Sequence, residues 1–186
     1  MNDDTLGKPR IEFYRASGTY GFLSNLYRCN LYVAVPTWVK DEIRYRSFTS
    51  SEQAYQFAKS SNPDVREDIA LVRLPRSAAA LGHGMYRFDV VPEWTENKVE
   101  WMRTVVRAKF HDNPELAEKL LATGDAILIE ASKTDAFWGI GKKGTGKNML
   151  GVILMEVRSE LQGRFKSHRD QMMLETNDAL GSHQPV

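Results

Sequence analysis

The sequence predicts one α+β domain that is mostly helical and carries a small β-sheet. Short runs of aromatic and β-branched residues at 11–14, 29–35 and 43–48, separated by Gly, Ser, Asn and Pro, predict a small sheet near the N-terminus. From residue 51 to residue 111 the apolar positions instead follow a helical spacing. A chain of 186 residues has the size of one ordinary domain, which buries about 70% of its unfolded surface.

The segment between the first two predicted strands, residues 15–25, reads RASGTYGFLSN. Its two glycines and two serines suit a tight path close to a ligand. A plain connection between strands explains the same composition, so the sequence leaves both interpretations open.

Helix starts are marked by Asn62 and Asn113, each of which precedes a proline at the first helical position. Between them, residues 92–111 carry apolar side chains at every third or fourth position. This spacing predicts one long helix with a buried stripe and with Lys98 and Lys109 at its margins.

The last third of the chain predicts a helix, a strand and a second helix. Residues 114–123 are helical in pattern and end before Gly124, residues 126–132 resemble a buried strand, and residues 147–165 return to a helical period. Beyond them the periodicity is lost, so residues 166–186 are expected to be a polar, loosely held tail with one helical turn around Met172.

The chain therefore divides into an extension (1–10), one domain (11–165) and the tail. The extension is polar and acidic, unlike a secretory signal, and no apolar run reaches the roughly 20 residues of a membrane span, so we expect an intracellular, cytoplasmic protein.

One cysteine and four scattered histidines exclude a disulfide scaffold and offer no metal-ligand spacing. Because the net charge is only +1, an anionic partner would have to bind at a local cluster of basic residues. The sequence assigns no oligomeric state.

A first candidate site is SSEQAYQFAK, which follows the early strands. If a serine caps this helix, Glu52 and Lys59 lie two turns apart on one face, with Tyr55 and Gln56 between them. This polar stripe would face a cleft. The alternative is that Glu52 only interacts favourably with the positive end of the helix dipole and that Lys59 is a solvated surface lysine.

A second candidate site is DAFWGIGKKGTGKNMLG, residues 135–151. Its glycines allow backbone N–H groups to approach a phosphate, Lys142, Lys143 and Lys147 supply positive charge, and Trp138 is able to stack on a base. The alternative is that its aromatic residues belong to the core and its lysines keep a long turn soluble.

The same segment nearly matches a nucleotide-binding phosphate loop. Gly141, Gly146 and Lys147 have the required spacing, but Asn148 stands where Mg²⁺ binding needs Ser or Thr. No later apolar strand supplies the aspartate of such a metal site. We therefore exclude a nucleoside triphosphatase.

Five blocks in the same order resemble the NADAR or YbiA-like N-glycosidases. They are FYRASGTYGFLSN, SSEQAYQFAK, VVRAKF with the NPEL that follows it, LLATGDAILIEAS and DAFWGIGKKGTGKNMLG, and they cover about residues 11–161. The resemblance implies a single, largely helical α+β domain with the YbiA-like fold. It also implies cleavage of an N-glycosidic bond without a metal or cofactor.

By this resemblance Glu52, Lys59 and Asp135 are catalytic. Glu52 would stabilise positive charge on ribose or direct water, and Asp135 would position hydroxyl groups or water. Lys59 would either hold Glu52 ionised or attack C1′ as a neutral amine. Two positions depart from the family pattern: His83 stands where relatives have arginine, which leaves a phosphate contact there open, and Gln53 replaces a histidine of some members. The expected substrate-binding residues are Tyr20, Gly21, Phe22, Ser24, Asn25, Gln56, Trp94, Trp138, Gly139, Lys147 and Asn148.

Family members are associated with two substrate classes. We expect the first, ADP-ribose attached to guanine in DNA, because a long Gly-Lys loop suits a diphosphate and its lysines suit a DNA backbone. The alternative is a ribosylamino-pyrimidine phosphate of riboflavin synthesis. A module that binds ADP-ribose without cleaving it is a further alternative, disfavoured because carboxylates repel a diphosphate. The expected partner is thus ADP-ribosylated DNA or a ribosylated small molecule.

Overall fold

A computed structural model describes residues 7–35, 44–85 and 89–181, which form six α-helices and four β-strands. Most of the predicted extension, Ile43 of the third predicted strand and the end of the tail lie outside the described residues. The helical α+β fold class is confirmed. The elements are β1 (Arg10–Phe13), β2 (Leu31–Val35), β3 (Arg44–Phe48), α1 (Ser51–Lys59), α2 (Pro63–Leu71), α3 (Pro75–Gly84), α4 (Trp94–His111), α5 (Pro114–Leu121), β4 (Ile127–Glu130) and α6 (Met149–Gly181).

The strands form two separate pairs. Strands β2 and β3 are antiparallel, with Leu31 opposite Phe48. Strand β1 pairs in parallel with β4, far along the chain, with Phe13 opposite Glu130. The prediction that the three early strands share one sheet is therefore wrong, because the buried β4 takes β1 as its partner. A parallel pair needs a long crossover, which the helices between the two strands supply.

The core lies where α4 packs against α1, α6 and β2. The predicted stripe of α4 is buried through Val105, Val106 and Phe110. Lys109 was expected at the margin of this stripe but is only 1% exposed. Burial lowers the pKa of Lys109 to about 8. Its ammonium donates a hydrogen bond of 2.9 Å to the carbonyl of Ser24, which gives the buried charge a partner.

The C-terminal helix is longer than the sequence predicts. Helix α6 runs from Met149 to Gly181, whereas the periodicity predicts an end near Phe165 followed by one short turn. Between Phe165 and Gly181 the chain contains no proline or glycine and several strong helix formers, so local propensity continues the helix where the apolar stripe ends. Among the described ranges, no helix has the length and apolar character needed to cross a bilayer.

Helix α1, which carries the first candidate site, begins at a capping residue and is tied to α2. The hydroxyl of Ser50 accepts a hydrogen bond from the backbone of Gln53. The Gln53 side chain accepts one from the Thr49 backbone at 2.8 Å and donates to the carbonyls of Ile69 and Val72, both at 2.9 Å. One buried amide therefore joins the start of α1 to the end of α2.

Replacing Gln53 with Leu should lower the free energy of unfolding by about 2–4 kcal/mol, because the carbonyls of Ile69, Ala70 and Val72 lose this donor. Urea unfolding followed by circular dichroism measures the change. The control is Gln162→Leu on the exposed side of α6, which should change stability by less than about 0.5 kcal/mol. Equal stability of Gln53→Leu and wild type would contradict this role.

Candidate active site

A cavity of about 1360 Å³ is lined by residues of α1, α3 and α4, of the loop between β1 and β2, and of the loop that follows β4. Ligand pockets commonly measure about 300–1,000 Å³, so this cavity has room for a ligand larger than a mononucleotide. The two candidate sites of the sequence meet here. The predicted site residues that line it are Ser24, Asn25, Glu52, Gln56, Lys59, Trp94, Asp135 and Trp138.

Helix α1 turns its polar stripe into this cavity. The carboxyl oxygen Oε1 of Glu52 accepts a hydrogen bond of 2.8 Å from Nε2 of Gln56. One turn further on, Nζ of Lys59 donates to the carbonyl of Gly82 in α3 at 2.7 Å. The backbone N–H of Glu52 donates to the carbonyl of Asn25, which holds the preceding loop against the start of the helix.

Burial and charge act in opposite directions on Glu52 and Lys59. Burial raises the pKa of Glu52, while the Gln56 hydrogen bond and the nearby His83 and Lys59 oppose this rise. Burial lowers the pKa of Lys59, and Glu52 opposes the fall. Each residue favours the charged form of the other within an environment that disfavours charge. Both predicted roles of Lys59, cation and neutral amine, are compatible with this geometry.

Asp135 reaches the cavity from the loop after β4. Its oxygen Oδ1 accepts hydrogen bonds of 2.8 Å from the backbone N–H groups of Phe137 and Trp138. Its own N–H donates to the hydroxyl of Ser132 at 3.1 Å. These bonds form a tight turn that fixes the carboxylate.

Three aromatic rings form one wall of the cavity. The ring of Tyr55 lies between Trp94, with ring centres 4.9 Å apart, and Trp138, with ring centres 5.7 Å apart in an edge-to-face contact. Burial raises the pKa of Tyr55, so this wall is uncharged. Large rigid rings of this kind are suited to pack against a sugar or a base.

Sequence reasoning missed a third acidic residue of the cavity. Glu130 is the last residue of β4, is 8% exposed and lines the cavity together with Glu52 and Asp135. Burial, with Asp135 and Glu52 adding to it, raises the pKa of Glu130 to about 8. The available signal was a charged residue within an otherwise apolar strand, at the carboxyl end where ligand-binding residues often lie. No group of three or more His, Cys, Asp or Glu in the described ranges is arranged to hold a metal ion.

The glycine-rich loop packs on its own backbone and against β4. Gly139, Lys147 and Asn148 do not line the cavity. The side chain of Asn148 bonds instead to the backbone of β4, accepting from Glu130 N–H at 2.9 Å and donating to the Leu128 carbonyl at 2.8 Å. A Cβ atom on Gly146 would lie 2.4 Å from the carbonyl oxygen of Gly139.

The glycines of this loop are thus explained by the close approach of its own backbone. The amino group of Lys147 lies 5.2 Å from the ring centre of Phe137. Lys142 and Lys143 are exposed and likewise do not line the cavity. The structure does not favour the expectation that the lysines of this loop meet the substrate phosphates.

The loop between β1 and β2 is divided between two cavities. Tyr20 and Phe22 line a second one, of about 800 Å³, rather than the first. Gly21 lines neither, and a Cβ atom there would lie 2.1 Å from the carbonyl of Ala16. Asn25 lines the first cavity; its amide donates to the sulfur of Met102, and its buried Oδ1 has no partner among the described residues. Such an acceptor is available to a ligand donor.

Positive charge lies at the mouth of the first cavity. Arg15, Arg28 and Arg76 line it, and all three are exposed. None of them forms an ion pair within the described part of the chain. His83 of α3 lines the cavity as well. The cavity is therefore lined by buried and half-buried carboxyl groups inside and by exposed arginines at its opening.

Comparison with known proteins identifies the family. A model of the NADAR domain matches residues 12–162. A riboflavin biosynthesis protein of Vibrio vulnificus is 40% identical over 152 residues, which are 82% of this chain but 38% of that protein, so the chain spans less than half its length. N-glycosidase YbiA of Escherichia coli is 37% identical over 151 residues, 81% of this chain and 88% of YbiA.

The fold agrees with these matches. The NMR structure of E. coli YbiA superposes with a TM-score of 0.70 at 35% identity, covering 84% of this chain and 87% of YbiA. The family match includes α1, β4 and the loop that follows, so it includes the three acidic residues of the cavity. This chain belongs to the NADAR domain family and has the fold of YbiA.

Proposed function

We propose that this chain is an N-glycosidase that hydrolyses the bond between ribose C1′ and a heterocycle nitrogen, using carboxyl groups rather than a metal ion. Its proposed substrate is ADP-ribose attached to guanine in DNA. YbiA, which the chain resembles over most of its length, is named an N-glycosidase. The observation that carries the proposal is that Glu52 and Asp135, from distant parts of the chain, share one cavity.

Two acidic residues in one cavity fit the demands of this reaction. Breaking a C1′–N bond builds positive charge on the ribose ring, which a carboxylate beside C1′ stabilises. Glu52, whose Oε1 is oriented by Gln56, takes this role or directs the attacking water. Asp135 is fixed by two backbone N–H groups and positions sugar hydroxyls or water. The unpartnered Oδ1 of Asn25 accepts a hydrogen bond from the ligand.

The opening of the cavity supports a phosphate-bearing substrate. Arg15, Arg28 and Arg76 offer planar groups suited to phosphate oxygens, while the carboxyl groups lie inside. This separation lets the ribose at the reacting bond approach the acids while the diphosphate stays near the arginines. The volume of the cavity favours ADP-ribose over a ribose monophosphate.

A second candidate substrate is a ribosylamino-pyrimidine phosphate. One observation favours it: the Vibrio relative is named a riboflavin biosynthesis protein. The same carboxyl groups would act on this smaller molecule, with one phosphate at the arginines. Binding of ADP-ribose without cleavage is less favoured, because buried carboxyl groups next to a ligand are poorly explained by binding alone.

Replacing Glu52 with Gln should lower kcat/KM by about 10²- to 10⁴-fold on the true substrate, because the oxocarbenium-like state loses its carboxylate. Wild type and variant are each offered ADP-ribosylated guanine in DNA and the pyrimidine intermediate, and free ADP-ribose or free base is measured by chromatography. Glu118→Gln, exposed on α5, is the control.

We expect wild type to release ADP-ribose faster than it cleaves the pyrimidine intermediate. The reverse order would transfer the proposal to the second substrate. Tight binding of ADP-ribose with neither substrate cleaved would show a binding module. Full activity of Glu52→Gln would mean that another group carries out the role given to Glu52.

The role of Lys59 is decided by chemical trapping. As a neutral amine, Lys59 would attack C1′ and form an imine with the opened ribose, which borohydride reduces to a stable adduct. As a cation that supports Glu52, it would give no adduct. Mass spectrometry of the peptide containing Lys59 should show the added mass in wild type and not in Lys59→Arg if the covalent route operates. Absence of the adduct during turnover removes that route.

Replacing Arg15, Arg28 and Arg76 together with Gln should raise KM for ADP-ribosylated DNA by about tenfold, because hydrogen bonds to charged phosphate are lost. It should also weaken the dependence of KM on salt. The matched control replaces Lys142 and Lys143 of the glycine-rich loop with Gln. A larger effect of the lysine replacements would favour the phosphate site that the sequence predicts.

A further inference from the structure

We propose that Glu130 is the general acid of this site and gives its proton to the heterocycle nitrogen as the C1′–N bond breaks. The inference rests on the proposed function and adds a third acidic residue to it.

The three carboxyl groups differ in their hydrogen-bond donors. Asp135 accepts two backbone N–H bonds through Oδ1, and Glu52 accepts one from Gln56. Glu52 also lies near Lys59 and His83, which oppose the rise of its pKa. In the described ranges, the carboxyl of Glu130 receives no hydrogen bond and forms no ion pair, although it is only 8% exposed. Glu130 is therefore the one whose negative charge has the least support.

Carboxyl groups that line one cavity disfavour the ionisation of one another, most strongly at the buried member. The carboxyl group that keeps its proton is the one whose negative charge is least stabilised by hydrogen-bond donors, which is that of Glu130. The pKa of Glu130 agrees with this assignment, because burial raises the pKa and Asp135 and Glu52 raise it further. The titratable and charged groups that share the cavity with it are Tyr14, Arg15, Tyr27, Arg28, Glu52, Tyr55, Lys59, Arg76, His83 and Asp135.

The backbone holds Glu130 in place. Its N–H donates to Asn148 and its carbonyl accepts from Ile140 at 3.0 Å. Its strand position is fixed by pairing with Phe13. A proton donor with a fixed backbone needs little reorganisation during the reaction.

The proton balance of the step is complete. As the C1′–N bond breaks, its electron pair goes to the nitrogen, which takes the proton of Glu130 and leaves as a neutral heterocycle. In direct hydrolysis, water forms the new C1′–O bond and its proton passes to Glu52. Glu52 then loses a proton and Glu130 regains one by exchange with solvent at the open cavity.

The test compares wild type, Glu130→Gln, Glu130→Asp and the control Glu12→Gln, which is exposed on the neighbouring strand β1. Wild-type kcat/KM should fall as pH rises through about 8, because the acid loses its proton. Glu130→Gln should lower kcat/KM by about 10²- to 10⁴-fold near neutral pH and should remove that alkaline decline. Glu130→Asp should recover part of the rate, and Glu12→Gln should match wild type.

A second measurement does not depend on activity. The folded-state pKa of Glu130 is raised from 4.5 to about 8, so the folded protein binds this proton more tightly than the unfolded chain. Stability attributable to this group therefore falls as pH rises between these two values and is constant above the higher one. The measured quantity is the urea midpoint of Glu130→Gln minus that of wild type. This difference should be larger at about pH 9 than at about pH 5.

The outcomes separate the two proposals. If wild type cleaves a substrate but Glu130→Gln keeps its rate and its alkaline decline, the general-acid role is wrong and the N-glycosidase proposal stands. If the stability difference between Glu130→Gln and wild type is independent of pH, Glu130 does not hold a proton at neutral pH and the role is also wrong. If wild type cleaves neither substrate, both proposals fail.

Discussion

The site depends on one electrostatic constraint: three carboxyl groups, from Glu52, Glu130 and Asp135, share a single cavity. Negative charges that share one cavity disfavour one another, and burial adds to this effect at Glu130. Hydrogen bonds from Gln56 and from the turn after Asp135 support two of the charges. The third group, Glu130, keeps its proton and therefore carries no negative charge. A cavity of this kind contains both a charged and a protonated acid at neutral pH, which is the combination that acid–base chemistry needs.

The secondary structure serves to bring these groups together. Helix α1 presents Glu52 and Lys59 two turns apart, while the parallel pairing of β1 with β4 places Glu130 at a strand end. Asn148, with a positive φ of 51°, binds the backbone of β4 through both atoms of its amide. The glycine-rich loop therefore shapes the site by bracing β4. The carboxyl groups inside the cavity and the arginines at its opening would orient a bound ligand, with its sugar inside and its phosphates at the opening.

The sequence predicts the fold class and most helices because they depend on local periodicity and on Asn-Pro starts. It also predicts the shared face of Glu52 and Lys59, since helical spacing alone determines it. The pairing of β1 with β4 was not predictable, because strand pairing depends on tertiary contacts. The packing of the glycine-rich loop on its own backbone was not predictable for a similar reason: a close approach by its own backbone and an approach by a phosphate require the same residues. Glu130 was missed because its apolar surroundings resemble those of any buried strand.

The central claim is that these carboxyl groups surround the ribose of the bound ligand. A crystal structure of the protein soaked with ADP-ribose tests it most directly. We predict that ribose C1′ lies in contact with the carboxyl groups of Glu52 and Glu130 and that the diphosphate lies beside Arg15, Arg28 or Arg76. Ribose bound in the second cavity beside Tyr20 and Phe22, or diphosphate bound on the glycine-rich loop with the carboxyl groups unoccupied, would contradict the claim.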